Sequence, residues 1–106
     1  MADRHFDAVV IGGGAAGLFC AIEAGRRGRR VAVLERSGQV GRKIIISGGG
    51  RCNVTHACFD PAQLVTFYPR GGKALRGPFM PFQPRDTIAW FAARRVVLTT
   101  EADGRL

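Results

Sequence analysis

The chain of 106 residues has the length of one ordinary domain and leaves little room for a second. Hydrophobic residues make up 46% of it, which excludes compositional disorder, and no apolar run approaches the roughly 20 residues of a membrane span. Sixteen Lys and Arg against eight Asp and Glu give a formal charge of +8, but the excess is shared equally between the two halves and forms no dense basic tail, so nucleic acid is not expected as the main partner.

The first residues, MADRHFDAVVIGGG, do not resemble a signal peptide, because the apolar stretch is too short and acids precede it at Asp3 and Asp7. The three cysteines, Cys20, Cys52 and Cys58, are odd in number and show no zinc-like spacing. We therefore expect a cytoplasmic protein with reduced thiols, no disulfide framework and no bound metal.

Residues 7–36 read as a β-α-β unit. The apolar, β-branched run 7–11 predicts a buried parallel strand, and the glycines at 12–14 predict a tight turn. Residues 15–27 predict an Ala-rich helix that ends at Gly28, and 31–34 predict the second strand. The fold class predicted is therefore α/β, with a Rossmann-like unit that needs further strands to bury both faces of its sheet.

The glycines Gly12, Gly14 and Gly17 have the G-x-G-x-x-G spacing of a dinucleotide site between a strand and a helix. Glu35 ends the second predicted strand, where such sites place the acid that binds a ribose hydroxyl. A carboxylate there repels a 2′-phosphate, which favours FAD or NAD over NADP, and the neighbouring Arg36 weakens this exclusion slightly.

A second glycine-rich stretch, SGGGRCNVT, spans residues 47–55. An NAD site does not need a second glycine loop so soon after the ribose acid. FAD extends further along the protein, and glycines, which lack Cβ atoms, let the backbone approach the rest of that cofactor. Arg42, Lys43 and Arg51 are candidate donors to phosphate or flavin oxygens, and Asn53 is a candidate for the ribityl chain or ring. The alternative is a plain surface loop, as in a dehydrogenase that binds NAD alone.

The remaining residues predict helices and one strand. Asp60 is the expected N-cap of a helix, with Pro61 at its first position and Gln63 in a capping box, and this helix ends by Pro69. Residues 69–85 look irregular, 85–95 predict a helix capped by Asp86 or Thr87, and 96–101 predict a strand before a hairpin turn at 102–104. The strand that should follow this turn is missing, so we expect the front part of a longer protein.

The motifs IGGGAAG and GRKIIISGGGRCNVT resemble the BaiN-like, or aminoacetone oxidase, family of bacterial FAD-dependent, NAD(P)-linked oxidoreductases. YPRGGKALRGPF, DTIAWF and TEADGR are similar to the same family, although His56 stands where members often have a second Asn. The resemblance implies an FAD domain of the glutathione-reductase type, of which the chain covers the N-terminal part: a β-α-β unit at 1–36, a second FAD loop at 37–58 and a truncated segment at 59–106.

The same resemblance implies FAD as cofactor, NAD(P)H as electron donor and a small-molecule substrate. It implies that the pyrophosphate lies on Gly12, Gly14, Ala15, Ala16 and Gly17, that the adenosine ribose lies on Glu35 beside Arg36, and that the rest of the cofactor is lined by Lys43, Ser47, Gly48, Gly49, Arg51, Cys52 and Asn53. No catalytic acid or base is identifiable. The alternatives left open are an NAD-only dehydrogenase, a nucleic-acid-modifying flavoprotein and an inactive truncated remnant.

Overall fold

A computed structural model describes residues 3–106, which fall into a first unit, Met1–Cys52, and a second unit, Asn53–Leu106. In the first unit, strand β1 (Ala8–Ile11) and strand β2 (Val31–Leu34) pair in parallel through helix α1 (Ala15–Arg26). The β-α-β prediction is therefore confirmed. The prediction that these strands are buried is wrong: Val9, Ile11 and Leu34 are exposed, because two paired strands and one helix do not cover both faces of the sheet.

The register of the two strands is fixed at both ends. Ala8 lies opposite Val31, and the side chain of Asp7 accepts a hydrogen bond from the backbone N–H of Arg30 at 2.7 Å. At the other end Ile11 lies opposite Leu34, so both strands end at the same edge. This edge holds the residues that follow β1 and β2, where open α/β sheets bind their ligands.

Residues 37–55, predicted to be mostly loop, contain a short helix α2 (Arg42–Ile46) and a 3-10 turn (Ser47–Gly50). The apolar run 44–46 was too short to show a helical period in the sequence. Gly41 is the N-cap of helix α2 and adopts a left-handed backbone with φ of 70°.

The second unit contains helices α3 (Pro61–Leu64), α4 (Gly72–Leu75) and α5 (Pro84–Ala92), with a 3-10 turn (Val65–Phe67) after α3. Among the described residues, the buried hydrophobic side chains are Leu64 and Leu106. Both belong to this unit, where the chain end pairs with residues 54–57. The backbone of Leu106 accepts from Val54 at 2.7 Å and donates to Thr55 at 2.9 Å.

The predicted cap at Asp60 is confirmed, because its carboxylate accepts from the N–H of Ala62 at 3.0 Å. In a capping box the Asp60 carboxylate would accept from the N–H of Gln63, the third helical residue. The bond observed comes from Ala62, one residue earlier. The predicted cap of α5 at Asp86 or Thr87 is wrong. Pro84 takes the first helical position, Gln83 is the N-cap, and Asp86 accepts from the Gln83 N–H at 2.8 Å.

Two further predictions for the second unit are wrong. The stretch 69–85 is not wholly irregular, because α4 forms within it. Residues 96–101 form no strand in the part of the chain that the structure describes, since a strand needs a partner and the segment that pairs with 54–57 is 104–106 instead. The turn at 102–104 does form, with Gly104 N–H bound to Glu101 O at 3.0 Å.

Candidate functional site

The structure gives a physical reason for two of the three glycines in the G-x-G-x-x-G motif. Gly12 has φ of +99°, a conformation that side chains rarely adopt, and its N–H donates to Leu34 O at 2.7 Å. A Cβ on Gly17 would collide with the Gly12 carbonyl oxygen, so this glycine lets α1 approach β1. Gly14 has an ordinary φ of −83°, and a Cβ there would meet nothing within 4 Å. The protein's own packing therefore does not require a glycine at position 14, and its backbone faces open space.

Helix α1 begins beside this open space. Gly14 is its N-cap and offers no side chain, and the first helical bond runs from Leu18 N–H to Gly14 O at 2.9 Å. The N–H groups of Ala15, Ala16 and Gly17 precede that bond and so have no acceptor within the helix. Together with the positive end of the helix dipole, such groups favour an anion.

Glu35 follows β2 and reaches back to the first loop. One carboxylate oxygen accepts from Gly13 N–H at 2.9 Å, and the other accepts from Ser37 N–H at 2.7 Å. These bonds, the Ser37 bond first and the Gly13 bond second, lower the pKa of Glu35 below its ordinary value. The half-buried side chain is therefore ionised at neutral pH, and each oxygen keeps acceptor capacity for a ligand hydroxyl.

The segment after Glu35 folds back against the first loop, a contact that the sequence analysis missed. Gly41 N–H donates to Gly13 O at 2.7 Å, and both glycines are buried. A Cβ on Gly13 would lie 2.8 Å from a methyl group of Val40, so this position also needs a glycine. The signal in the sequence was the pair of glycines in SGQVG directly after the acid and arginine.

The second glycine loop is a left-handed turn. Gly48, Gly49 and Gly50 have φ of 58°, 65° and 91°. Cys52, with φ of 50°, also has a left-handed backbone although it is not a glycine. The turn is closed by Cys52 N–H on Ser47 O at 2.9 Å. Added Cβ atoms on Gly49 and Gly50 would meet nothing within 4 Å. Backbone conformation requires these glycines, and the space around them is open.

Helix α2 connects the two loops within the first unit. It starts next to Gly13 through the Gly41 bond, and its five residues extend for roughly 7.5 Å before the second loop. Lys43 on α2 and Arg36 before it are exposed. Of the predicted residues, Asn53 alone falls in the second unit; the first unit holds Gly12, Gly14, Ala15, Ala16, Gly17, Glu35, Arg36, Lys43, Ser47, Gly48, Gly49, Arg51 and Cys52.

The thiols of Cys20, Cys52 and Cys58 are all free. Within residues 3–106, no three His, Cys, Asp or Glu side chains gather as a metal-binding group. The helices of the same range are all too short or too polar to cross a bilayer.

The parallel β-α-β unit and its glycine loop define a Rossmann-like α/β protein. The chain belongs to the HI0933-like protein Rossmann domain family, whose profile matches residues 6–106. The predicted fold class and the resemblance to BaiN-like proteins are thereby confirmed.

Three curated relatives cover most of this chain. It is 45% identical over 85 residues to the ribosomal RNA dihydrouridine synthase of Escherichia coli, which is 80% of this chain and 21% of that protein. It is 41% identical over 66 residues to the enzyme of the same name from Haemophilus influenzae, 62% of this chain and 16% of that protein. It is 33% identical over 86 residues to the 3-dehydro-bile acid delta(4,6)-reductase of Clostridium scindens, 79% of this chain and 20% of that protein. The chain therefore spans about a fifth of the length of these relatives.

Proposed function

We propose that the chain supplies the FAD-binding front part of a flavin-dependent oxidoreductase. The observation that carries this proposal is the open backbone at Gly14, which lies at the uncapped start of α1 in the same glycine loop that the ionised Glu35 contacts. The phosphates of an adenine dinucleotide need N–H groups that donate to them, and its ribose needs a carboxylate that accepts from its hydroxyls. Both kinds of group lie close together here.

FAD fits this chain better than NAD because the open glycine surface does not end at the first loop. Helix α2 leads directly to the left-handed turn at 48–50, where added Cβ atoms on Gly49 and Gly50 would meet open space. An NAD site that ends at the ribose acid has no use for such a turn.

In this proposal each group of residues has one task. Backbone at Gly12, Gly14, Ala15, Ala16 and Gly17 holds the pyrophosphate, and Glu35 accepts from the adenosine ribose beside Arg36. Because Glu35 is ionised, it disfavours a 2′-phosphate at this position. The remaining cofactor is lined by Lys43, Ser47, Gly48, Gly49, Arg51, Cys52 and Asn53. The three sections at 1–36, 37–58 and 59–106 then form the first part of one FAD domain.

Bound FAD supplies the hydride or electron transfer, and the protein supplies position and electrostatics. The described contacts of this chain bind and orient: Gly12 and Gly17 set the distance between α1 and β1, and Glu35 ties the first loop to the segment after β2. NAD(P)H as electron donor and a small-molecule substrate are the further parts of this proposal.

A second candidate substrate class is RNA, with reduction of a base in place of a small molecule. Two of the relatives are named for ribosomal RNA, and both are more similar to this chain than the bile acid reductase is. This observation favours a nucleic-acid-modifying flavoprotein. From the even distribution of charge alone, nucleic acid was not expected as the main partner.

The flavin content of the purified protein tests the proposal. The longest form of the protein that carries this chain should show the two visible absorption bands of bound flavin, and heat should release FAD rather than FMN. A protein that stays colourless after incubation with FAD, yet binds NAD, would establish the NAD-only dehydrogenase instead.

A further inference from the structure

The second unit contains a stretch whose charge differs from that of the chain as a whole. Residues 61–85 include no Asp or Glu, but they include four cations, Arg70, Lys73, Arg76 and Arg85. All four are exposed, and no ion pair joins Arg70, Lys73 or Arg76 to an acid in the part of the chain that the structure describes. The equal division of charge between the halves conceals this local excess.

Aromatic side chains lie among these cations. Tyr68 is 42% exposed, and its ring packs at a tilt against Phe79 with the centroids 5.8 Å apart. Phe79 is half-buried and thus supports the Tyr68 ring from within the unit. A supported ring with an exposed surface can stack on a nucleobase of any sequence.

Tyr68 and Lys73 also line one open cleft of about 430 Å³. The cleft forms where Gly72 passes so close to the 3-10 turn that a Cβ on it would lie 2.6 Å from Val65 O. Val65 and Pro69 add apolar lining. The cleft is shallow and open to solvent, so a base that enters it lies on the surface of the unit against Tyr68.

Lys73 and Arg76 are neighbours on one helical face. They are three residues apart, and Arg76 continues α4 with helical backbone angles. Lys73 lines the same cleft as the exposed Tyr68 ring, and Arg76 is the next cation along the helix. A ring with a cation beside it suits the alternation of base and phosphate along a single strand.

We propose that Tyr68, Arg70, Lys73 and Arg76 form a binding surface for single-stranded RNA, with one base in the cleft against Tyr68 and the flanking phosphates on the cations. This rests on the RNA candidate of the proposed function. It adds to that candidate the part of the chain that holds the substrate.

The test is titration of a labelled, unstructured RNA oligonucleotide into the longest form of the protein at several salt concentrations. Lys73→Gln combined with Arg76→Gln should weaken binding and lower the salt slope by roughly 1.4, about 0.7 for each lost phosphate contact. Tyr68→Leu should weaken binding about tenfold or more, whereas Tyr68→Phe should bind as the unchanged protein because it keeps the ring.

The matched control is Arg29→Gln combined with Arg30→Gln, which removes the same charge from exposed side chains of the first unit. The proposal is overturned if this control weakens binding as much as the Lys73 and Arg76 pair, because net charge alone would then explain it. It is also overturned if Tyr68→Leu has no effect, or if vesicles of anionic phospholipid compete as well as RNA does.

FAD content is measured on the same samples. RNA binding through this surface in a protein that takes up no FAD on incubation with it would refute the proposed flavin function and leave the RNA surface standing. FAD binding without any RNA binding would do the reverse.

Discussion

Gly14→Ala tests whether a glycine is needed at position 14 for FAD binding rather than for the stability of the fold. The backbone at position 14 suits any residue, and an added Cβ meets nothing within 4 Å. Removing a glycine from the unfolded chain stabilises by about 0.4–1 kcal/mol, and losing Gly at an N-cap costs a similar amount, so the free energy of unfolding should change by less than about 1 kcal/mol. The new methyl group would nevertheless occupy the space in which a pyrophosphate approaches the backbone. We expect FAD affinity to fall by about tenfold to a hundredfold, the loss of one charge-assisted hydrogen bond.

Gly17→Ala is the matched control for this experiment. Its Cβ collides with the backbone oxygen of Gly12, which no side-chain rotation can relieve. We expect a loss of stability of about 1–3 kcal/mol, together with weaker FAD binding. Urea unfolding and FAD titration of both variants check the two readouts. If Gly14→Ala binds FAD as well as the unchanged protein, no phosphate lies at the start of α1, and the nucleotide interpretation of the first loop is wrong.

Four further predictions concern Glu35, pH, Cys58 and the isolated chain. Glu35→Ala should weaken FAD by about tenfold to a hundredfold and Glu35→Gln by less, without altering the spectrum of bound flavin; unchanged affinity in a titration of Glu35→Ala would make the acid incidental. Since the hydrogen bonds of Glu35 lower its pKa, the contribution of its carboxylate is present at neutral pH and is lost only as the pH falls through that lowered pKa; FAD affinity that already declines near neutral pH would contradict this. Cys58→Ser should leave flavin reduction and reoxidation rates unchanged in stopped-flow measurements, because Cys58 lies just before α3, outside both glycine loops, and forms no disulfide; lost turnover with retained FAD would instead reveal a redox role. Finally, Ile11 and Val97 are 79% and 87% exposed, so the 106-residue chain alone should aggregate with concentration and bind FAD weakly; a monomer with a sharp thermal transition and tight FAD binding would refute this.

The sequence predicted the β-α-β unit well because its signals are local. A β-branched run, a glycine turn and an Ala-rich helix each follow from a few neighbouring residues, and β1, α1 and β2 form where those signals lie. The roles of Gly12 and Gly17 also follow from spacing alone. Their physical reasons, a positive φ and a steric contact, are visible only in the structure.

The errors occur where a structure depends on distant partners or on competing local signals. Residues 96–101 have the composition of a strand but form no strand in the described part of the chain, where residues 104–106 pair with 54–57 instead. Asp86 was predicted to be the N-cap, but the helix begins two residues earlier, at Pro84. Asp86 is therefore the third helical residue, and its carboxylate accepts from the N–H of the actual N-cap, Gln83. The bond from Gly41 to Gly13 joins loops 28 residues apart, and the glycines of SGQVG do not by themselves reveal which distant loop they contact.

Competition between FAD and its two halves tests the central claim most directly. The claim is that the first glycine loop and Glu35 hold the ADP half of FAD. Bound FAD should therefore be displaced by ADP. In direct titrations the dissociation constant of ADP should rise in Gly14→Ala and in Glu35→Ala by about the same factor as that of FAD, while the dissociation constant of riboflavin stays the same in all three proteins. If the dissociation constant of ADP is unchanged in both variants, or if only riboflavin displaces FAD, the ADP half does not lie on this loop.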